Sequence, residues 1–378
     1  MFRAAFAAVL AAFALAVHAQ APQSPTPDAA ALDARVLTVA EGLDSPWGLA
    51  VLPDGSMLVT EKPGRLRRIV GGRVSEPLEG VPQVVARGQG GLLGIALSPD
   101  FARDGLVYLS FAEAGEGGVG TAVARGRLGE RGLEGTAVIW RQQPKVDGPN
   151  HWGSRLVFGR DGTLFVTVGD RYSYRDQAQN LSTTLGKVVR INADGSVPKD
   201  NPFVGQSRAL PEIWSYGHRN VQSAALHPAT GQLWTVEHGA RGGDELNRPQ
   251  GGRNYGWPVI TYGVDYSGFR IGEGTARAGM EQPVYYWDPV IAPSGGAFYT
   301  GDRFPDWRGN LLVGSLRPGG LVRLELDGDR VTRETRYRSG PLDARIRDVV
   351  VADGYVYLLQ DGRNAKLLRL EPPLSAGR

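Results

Sequence analysis

The chain has 378 residues, with 53 glycines, 25 prolines, 42% hydrophobic content and a formal charge of +3 at pH 7. That apolar content excludes a disordered chain, and glycine without a three-residue period excludes a collagen-like fibre. The absence of cysteine excludes disulfides and thiolate-held metal sites, and no run of five like charges marks a nucleic-acid partner.

Taken from the start, Arg3 precedes an apolar run, Ala4–Val17, and small residues at Val17 and Ala19 precede Gln20. This reads as a secretory signal peptide over residues 1–19, too short to span a bilayer. Residues 20–34 read as a flexible Pro/Ala-rich leader. Residues 35–373 read as one catalytic domain without a later transmembrane stretch. The mature protein is expected in the periplasm or outside the cell, as a monomer.

A pattern then recurs six times. An apolar, strand-like stretch enters a turn of Asp, Pro or Gly, and a second such stretch follows. The copies are Trp47–Thr60; Leu92–Asp100 with Gly105–Ser110; Arg155–Thr167; Ser223–Thr235; Gly295–Tyr299 with Gly309–Gly314; and Arg347–Leu359. Each copy predicts a hairpin. Further strands are expected at Arg65–Val70, Gly186–Ile191 and Gly320–Leu326. Hairpins repeating every 45 to 75 residues or so predict an all-β, six-bladed β-propeller, in which a ring of blades buries faces that one blade cannot. The long gaps, Ala112–His151, Gly169–Asn220 and Glu237–Ser294, are expected to be loops gathered at one end of the channel.

Gly115–Gly120 matches GxGxxG but has neither a preceding βαβ unit nor a following helix, so a dinucleotide site is rejected. His151, just before the third copy, has the ordinary pKa of a general base, although a structural histidine would fit as well. Arg219 and Asn220, within Tyr216–Gln222, suit a planar anion, and a surface ion pair is the plainer reading of Arg219. Asp244 and Glu245 lie among glycines, as in an oxygen-rich calcium site or a solvated turn. Tyr255, Trp257, Tyr262 and Tyr266 supply aromatic faces. Arg317, Arg345 and Arg347 add cations from the last two copies. Lysine is scarce, at positions 62, 145, 187, 199 and 366 only.

Several strings in order carry a resemblance: Gly88–Gly94 with Ser98–Phe101, His151 with Arg155, Val168–Asp170, Gly186–Ile191, Asp194–Phe203, Gly217–Asn220, Asp244–Asn247 and Asn254–Pro258. Over roughly residues 43–370 the chain resembles the PQQ-dependent soluble aldose sugar dehydrogenases, relatives of soluble quinoprotein glucose dehydrogenase. The resemblance implies oxidation of an aldose at its anomeric hydroxyl to a lactone, with PQQ and Ca²⁺ as cofactors and electrons passed to an acceptor it does not name. It implies that His151 is the general base and that Arg219 stabilises the quinone oxygen. Gln89, Arg219, Asn220, Tyr266, Arg317, Arg345 and Arg347 match cofactor-binding positions. The carbonyls of Gly239 and Ala240 match ligands of the cofactor-associated Ca²⁺, and Glu245 and Tyr255 match a further, structural Ca²⁺ site. The chain departs from the pattern in carrying Arg317 for a common Lys, Ala240 for Pro and Asn150 for Asp.

Two other readings compete. A metal-dependent lactonase-type propeller needs acidic and amide ligands without an arginine cluster. A non-enzymatic binding propeller keeps its blades without the chemistry. The dehydrogenase reading requires His151, Arg219 and Arg347 to meet around one cavity.

Overall fold

Each of the six repeated stretches forms the first two strands of its own sheet. The structure is a computed structural model describing Gln23 and residues 29–374, so the expected signal peptide, residues 1–19, lies outside the described residues. In chain order the blades begin at Pro46–Val51, Leu92–Leu97, Leu156–Phe158, Val221–Leu226, Pro293–Phe298 and Ile346–Ala352. These first strands touch one another in ring order and line the axis. The architecture is an all-β, six-bladed propeller whose only α-helix among the described residues is the single turn Phe101–Asp104.

Turn chemistry explains the hairpins. Asp54-Gly55 and Asp161-Gly162 place glycine at φ 78° and 79°, in the left-handed region that a tight turn requires. The second strands, among them Met57–Glu61, Leu164–Val168 and Leu233–Glu237, are buried along their whole length because each sheet is covered on both faces.

Apolar clusters seal the seams between neighbouring blades. Leu58, Leu66, Leu92 and Phe111 join the first to the second; Trp234, Trp287, Val313 and Leu324 join the fourth to the fifth. Burial of each such side chain contributes about 1.5–3 kcal/mol. The seam between the third and fourth blades has the smallest core of these, Phe165, Val188 and Leu233. It is there that buried polar groups accumulate.

The ring is closed by a strand no repeat announced. Arg35–Leu43 pairs antiparallel with Ala365–Glu371, completing the sixth blade from the opposite end of the chain. Within the segment read as a leader, Ala29–Ala30 pairs in parallel with Arg336 and Tyr337 at the outer edge of the fifth blade. The gap 112–151 is not a loop, which corrects the sequence expectation. Gly118–Leu128 and Leu133–Arg141 are the outer strands of the second blade, and Gly115–Gly118 is a hairpin turn. No described helix is long and apolar enough to cross a membrane.

Candidate active site

His151 stands just before the first strand of the third blade, and Asp170 just after the second, so the hairpin returns both to one end. The His151 Nδ1–H donates to Asp170 Oδ1 at 2.6 Å. Trp257 Nε1–H donates to the other carboxylate oxygen at 2.8 Å, and the Tyr172 main-chain N–H donates to Oδ1 at 2.8 Å. Asp170 is thereby fixed from three directions, and Nε2 is the histidine nitrogen it leaves free. Burial, followed by the charge of Arg219, holds the imidazole below its ordinary pKa, against the pull of Asp170.

The backbone here is bent into an uncommon conformation. His151, Ser154, Arg171 and Tyr172 all have positive φ, 54°, 76°, 58° and 65°, which costs energy for non-glycine residues and is held by the surroundings. Arg171 explains part of that hold. It is fully buried, its centre lies 3.3 Å from the Trp152 ring centroid, and its guanidinium donates to the carbonyls of Gly148 and Asn150.

Arg219 opens the fourth blade. Its side chain donates to the His238 carbonyl at 3.3 Å and to Tyr266 Oη at 3.4 Å, while its buried Nε has no hydrogen-bond partner among the described residues. His151, Asp170, Tyr172, Arg219, Trp257 and Tyr266 line a cavity of about 400 Å³, with Ala240 also in its wall.

Gln89, Asn220, Arg317, Arg345 and Arg347 line a second cavity of about 300 Å³, together with Lys62, Trp47, Trp152, His238 and Asp361. Asp361 accepts from Arg345 Nε at 2.8 Å and from Arg347 Nε at 2.9 Å. His238 donates to the Pro293 carbonyl, and burial lowers its pKa to about 3, so it adds no charge. The sequence reading required one cavity shared by His151, Arg219 and Arg347. The structure instead places the first two on one cavity and Arg347 on its neighbour. Gln89 Oε1 of the second cavity accepts from the His151 main-chain N–H at 2.8 Å, and Asn220 follows Arg219 directly, so the walls of the two cavities adjoin. A larger cavity, about 670 Å³, lies elsewhere, beside Gly80–Val85 and Phe111.

The expected metal residues divide. Asp244 is not available as a ligand. Its carboxylate accepts main-chain N–H groups of Gly239, Ile291 and Ala292, each at 2.8 Å, and braces the loop that carries Gly239 and Ala240. Glu245 points to the other side. It is partly buried, lies beside Glu237, accepts from Asn247 Nδ2 at 3.2 Å, and its pKa is raised to about 8 by burial and by the Glu237 charge. The Tyr255 hydroxyl donates to the Arg248 carbonyl, and its ring stacks on His218 at 4.9 Å. Among the described residues no group of three or more His, Asp or Glu is placed to hold a metal by side chains alone. A cation at Glu245 would balance a carboxylate that has no cationic partner among the described residues, with main-chain oxygens completing its shell.

A planar polyanion fits the second cavity. Four cations surround a single carboxylate there, and Trp47 and Trp152 line the wall, each with one face covered by Arg155 or Arg171. Sequence reasoning quoted Asp170 only inside a string, offered Trp257 only as one of several aromatic faces, and did not select Lys62 or Asp361. Asp361 follows the strand Tyr355–Gln360, yet meets Arg345 and Arg347, which precede that strand. The hairpin creates this pairing, so residue spacing alone does not announce it.

A family model described as Glucose / Sorbosone dehydrogenase matches residues 43–369. The aldose sugar dehydrogenase YliI of Escherichia coli is 46% identical over 352 residues, 91% of this chain and 94% of that protein. The crystal structure of the soluble aldose sugar dehydrogenase from Escherichia coli in its apo-form matches with a TM-score of 0.87 at 45% identity, covering 90% of this chain and 100% of that one. The PQQ-bound form of aldose sugar dehydrogenase from Streptomyces coelicolor matches with a TM-score of 0.75 at 32% identity, covering 89% of this chain and 98% of that one.

Proposed function

The chain belongs to the Glucose / Sorbosone dehydrogenase family and is an oxidoreductase, and from that premise we propose that it oxidises aldoses at the anomeric hydroxyl to lactones, using PQQ and Ca²⁺. The observation that carries this reading is a cation-lined cavity placed, through Gln89, directly beside the pocket holding the His151–Asp170 pair.

PQQ, when bound, accepts two electrons and the anomeric hydrogen as a hydride. His151 acts as general base. Asp170 holds the proton on Nδ1, so Nε2 is left to take the proton of the sugar hydroxyl. The same carboxylate stabilises the imidazolium once the proton has moved. Gln89 fixes the main chain of His151 and lines the cofactor cavity, which couples the base to the cofactor's position. Arg219 brings a guanidinium with an unpartnered Nε to the boundary, where it stabilises negative charge on a quinone oxygen. Asn220, Arg317, Arg345 and Arg347 bind the cofactor's polar edge, and Tyr266, in the His151 cavity beside Arg219, contacts the cofactor from that side. The carbonyls of Gly239 and Ala240 hold the Ca²⁺ that polarises the quinone, and Glu245 with Tyr255 holds a structural Ca²⁺.

We further assign residues 1–19 as a cleaved signal peptide and the mature protein as a periplasmic or secreted monomer; an exported protein starting at Gln20 would support this. The test of function is dye reduction by a panel of aldoses with apoprotein, PQQ and Ca²⁺. Activity should need both additions and be lost in His151→Ala. Lactone hydrolysis without PQQ would overturn the reading in favour of a metal-dependent lactonase.

A further inference from the structure

The second cavity carries more positive charge than the chain itself balances. Lys62, Arg317, Arg345 and Arg347 face one carboxylate, Asp361. Both oxygens of that carboxylate are already taken by Arg345 and Arg347. Among the described residues the Lys62 ammonium donates only to the Gly88 carbonyl, at 3.4 Å, the outer limit of a hydrogen bond.

Lys62 is nonetheless held firmly at this place. It occupies the turn between Met57–Glu61 and Arg65–Val70. Its main-chain N–H donates to the Ser45 carbonyl at 3.0 Å, and its carbonyl accepts from the Leu92 N–H at 3.1 Å. Burial and the charges of Arg347 and Arg345 oppose its protonation, so its pKa is lowered from the ordinary value. A cation kept among cations weakens the empty site and strengthens one filled by an anion. Four cations less one carboxylate leave an excess of three positive charges, and PQQ carries three carboxylates.

We infer that Lys62 binds a carboxylate of the quinone cofactor, as a further cofactor-binding cation beside Arg219, Arg317, Arg345 and Arg347. The inference rests on the PQQ reading above, and it names a residue of the first blade where the resemblance drew its cations from the fourth, fifth and sixth.

Trp47 and Trp152 line the same cavity, so their fluorescence reports occupancy without turnover. The experiment is titration of apoprotein with PQQ at saturating Ca²⁺ and two salt concentrations, for wild type, Lys62→Gln, Lys62→Arg and Arg345→Gln. Lys62→Gln should weaken PQQ about tenfold, roughly 1.4 kcal/mol, and flatten the salt dependence. Lys62→Arg should bind within about threefold of wild type. The unliganded Lys62→Gln protein should melt at or above the wild-type temperature, since repulsion is relieved. Lys62→Met keeps the stem and serves if glutamine disturbs folding. Binding by Lys62→Gln within twofold of wild type, while Arg345→Gln loses tenfold, overturns the role of Lys62 alone. A wild-type protein that binds no PQQ overturns the cofactor reading and this inference with it.

Discussion

The Nδ1 of His151 lies 2.6 Å from Asp170 Oδ1, across a hairpin that returns residues 19 apart to one end of the third blade. The carboxylate sets the tautomer and the ring's orientation. In Asp170→Asn the amide cannot accept the same charge-assisted bond, and Trp257 Nε1 and the Tyr172 N–H lose an anionic acceptor. We expect kcat/KM to fall about 10³-fold, in line with carboxylate-to-amide changes behind a catalytic histidine. PQQ affinity, read by tryptophan quenching, should stay within about twofold. A loss below tenfold would remove Asp170 from the mechanism.

The pH profile follows from the same pocket. His151 is held below its ordinary value of 6.5 by burial and by Arg219. A base is lost when it takes up a proton, so activity falls only as pH drops through this lowered pKa. For the loaded enzyme, the acid limb of kcat/KM should have its midpoint below 6.5. A midpoint above that value contradicts the assignment of His151 as the base.

Glu245 offers a stability test. Its pKa is raised from 4.5 to about 8, so between those values the folded protein holds a proton that the unfolded chain has shed. Stability of the metal-free protein should fall as pH rises through this window. Calcium should abolish that slope and raise Tm, by an amount equivalent to about 2.7 kcal/mol at a hundredfold excess over Kd. Glu245→Gln should show neither the slope nor the calcium response. Identical calcium shifts in wild type and variant would place the ion elsewhere.

Closure of the ring is testable at Leu43, fully buried in the seam between the sixth and first blades. Leu43→Ala should cost about 2–5 kcal/mol, measured by denaturant unfolding. A cost below about 1 kcal/mol would mean that Arg35–Leu43 decorates the sixth blade without holding it.

The hairpins were legible because their turns are local chemistry. Asp54-Gly55, Asp161-Gly162 and Asp353-Gly354 state the reversal within a few residues, and the strands on either side are mostly apolar. Arg35–Leu43 was not legible as a blade strand, since its partner Ala365–Glu371 lies over three hundred residues away and no turn joins them. Gly118–Leu128 and Leu133–Arg141 do not read as strands because glycine, threonine and arginine interrupt the apolar residues of the first, and the second lies at the blade's outer edge, where fewer apolar residues are needed. At the site, His151 and the arginines were selected as residue types. Asp170, Asp361 and Lys62 acquire their meaning from what folding puts beside them, which no spacing rule expresses.

The sixth blade joins the first-made strand of the ring to the last. Ribosomal synthesis therefore leaves Arg35–Leu43 waiting until Ala365–Glu371 exists, and Arg345 and Arg347 arrive in that same late stretch. A nascent chain holding five blades presents half an anion pocket on an open, unsealed edge. The pocket thus receives its last two arginines only as the circle closes, and a chain ending before the sixth blade lacks both.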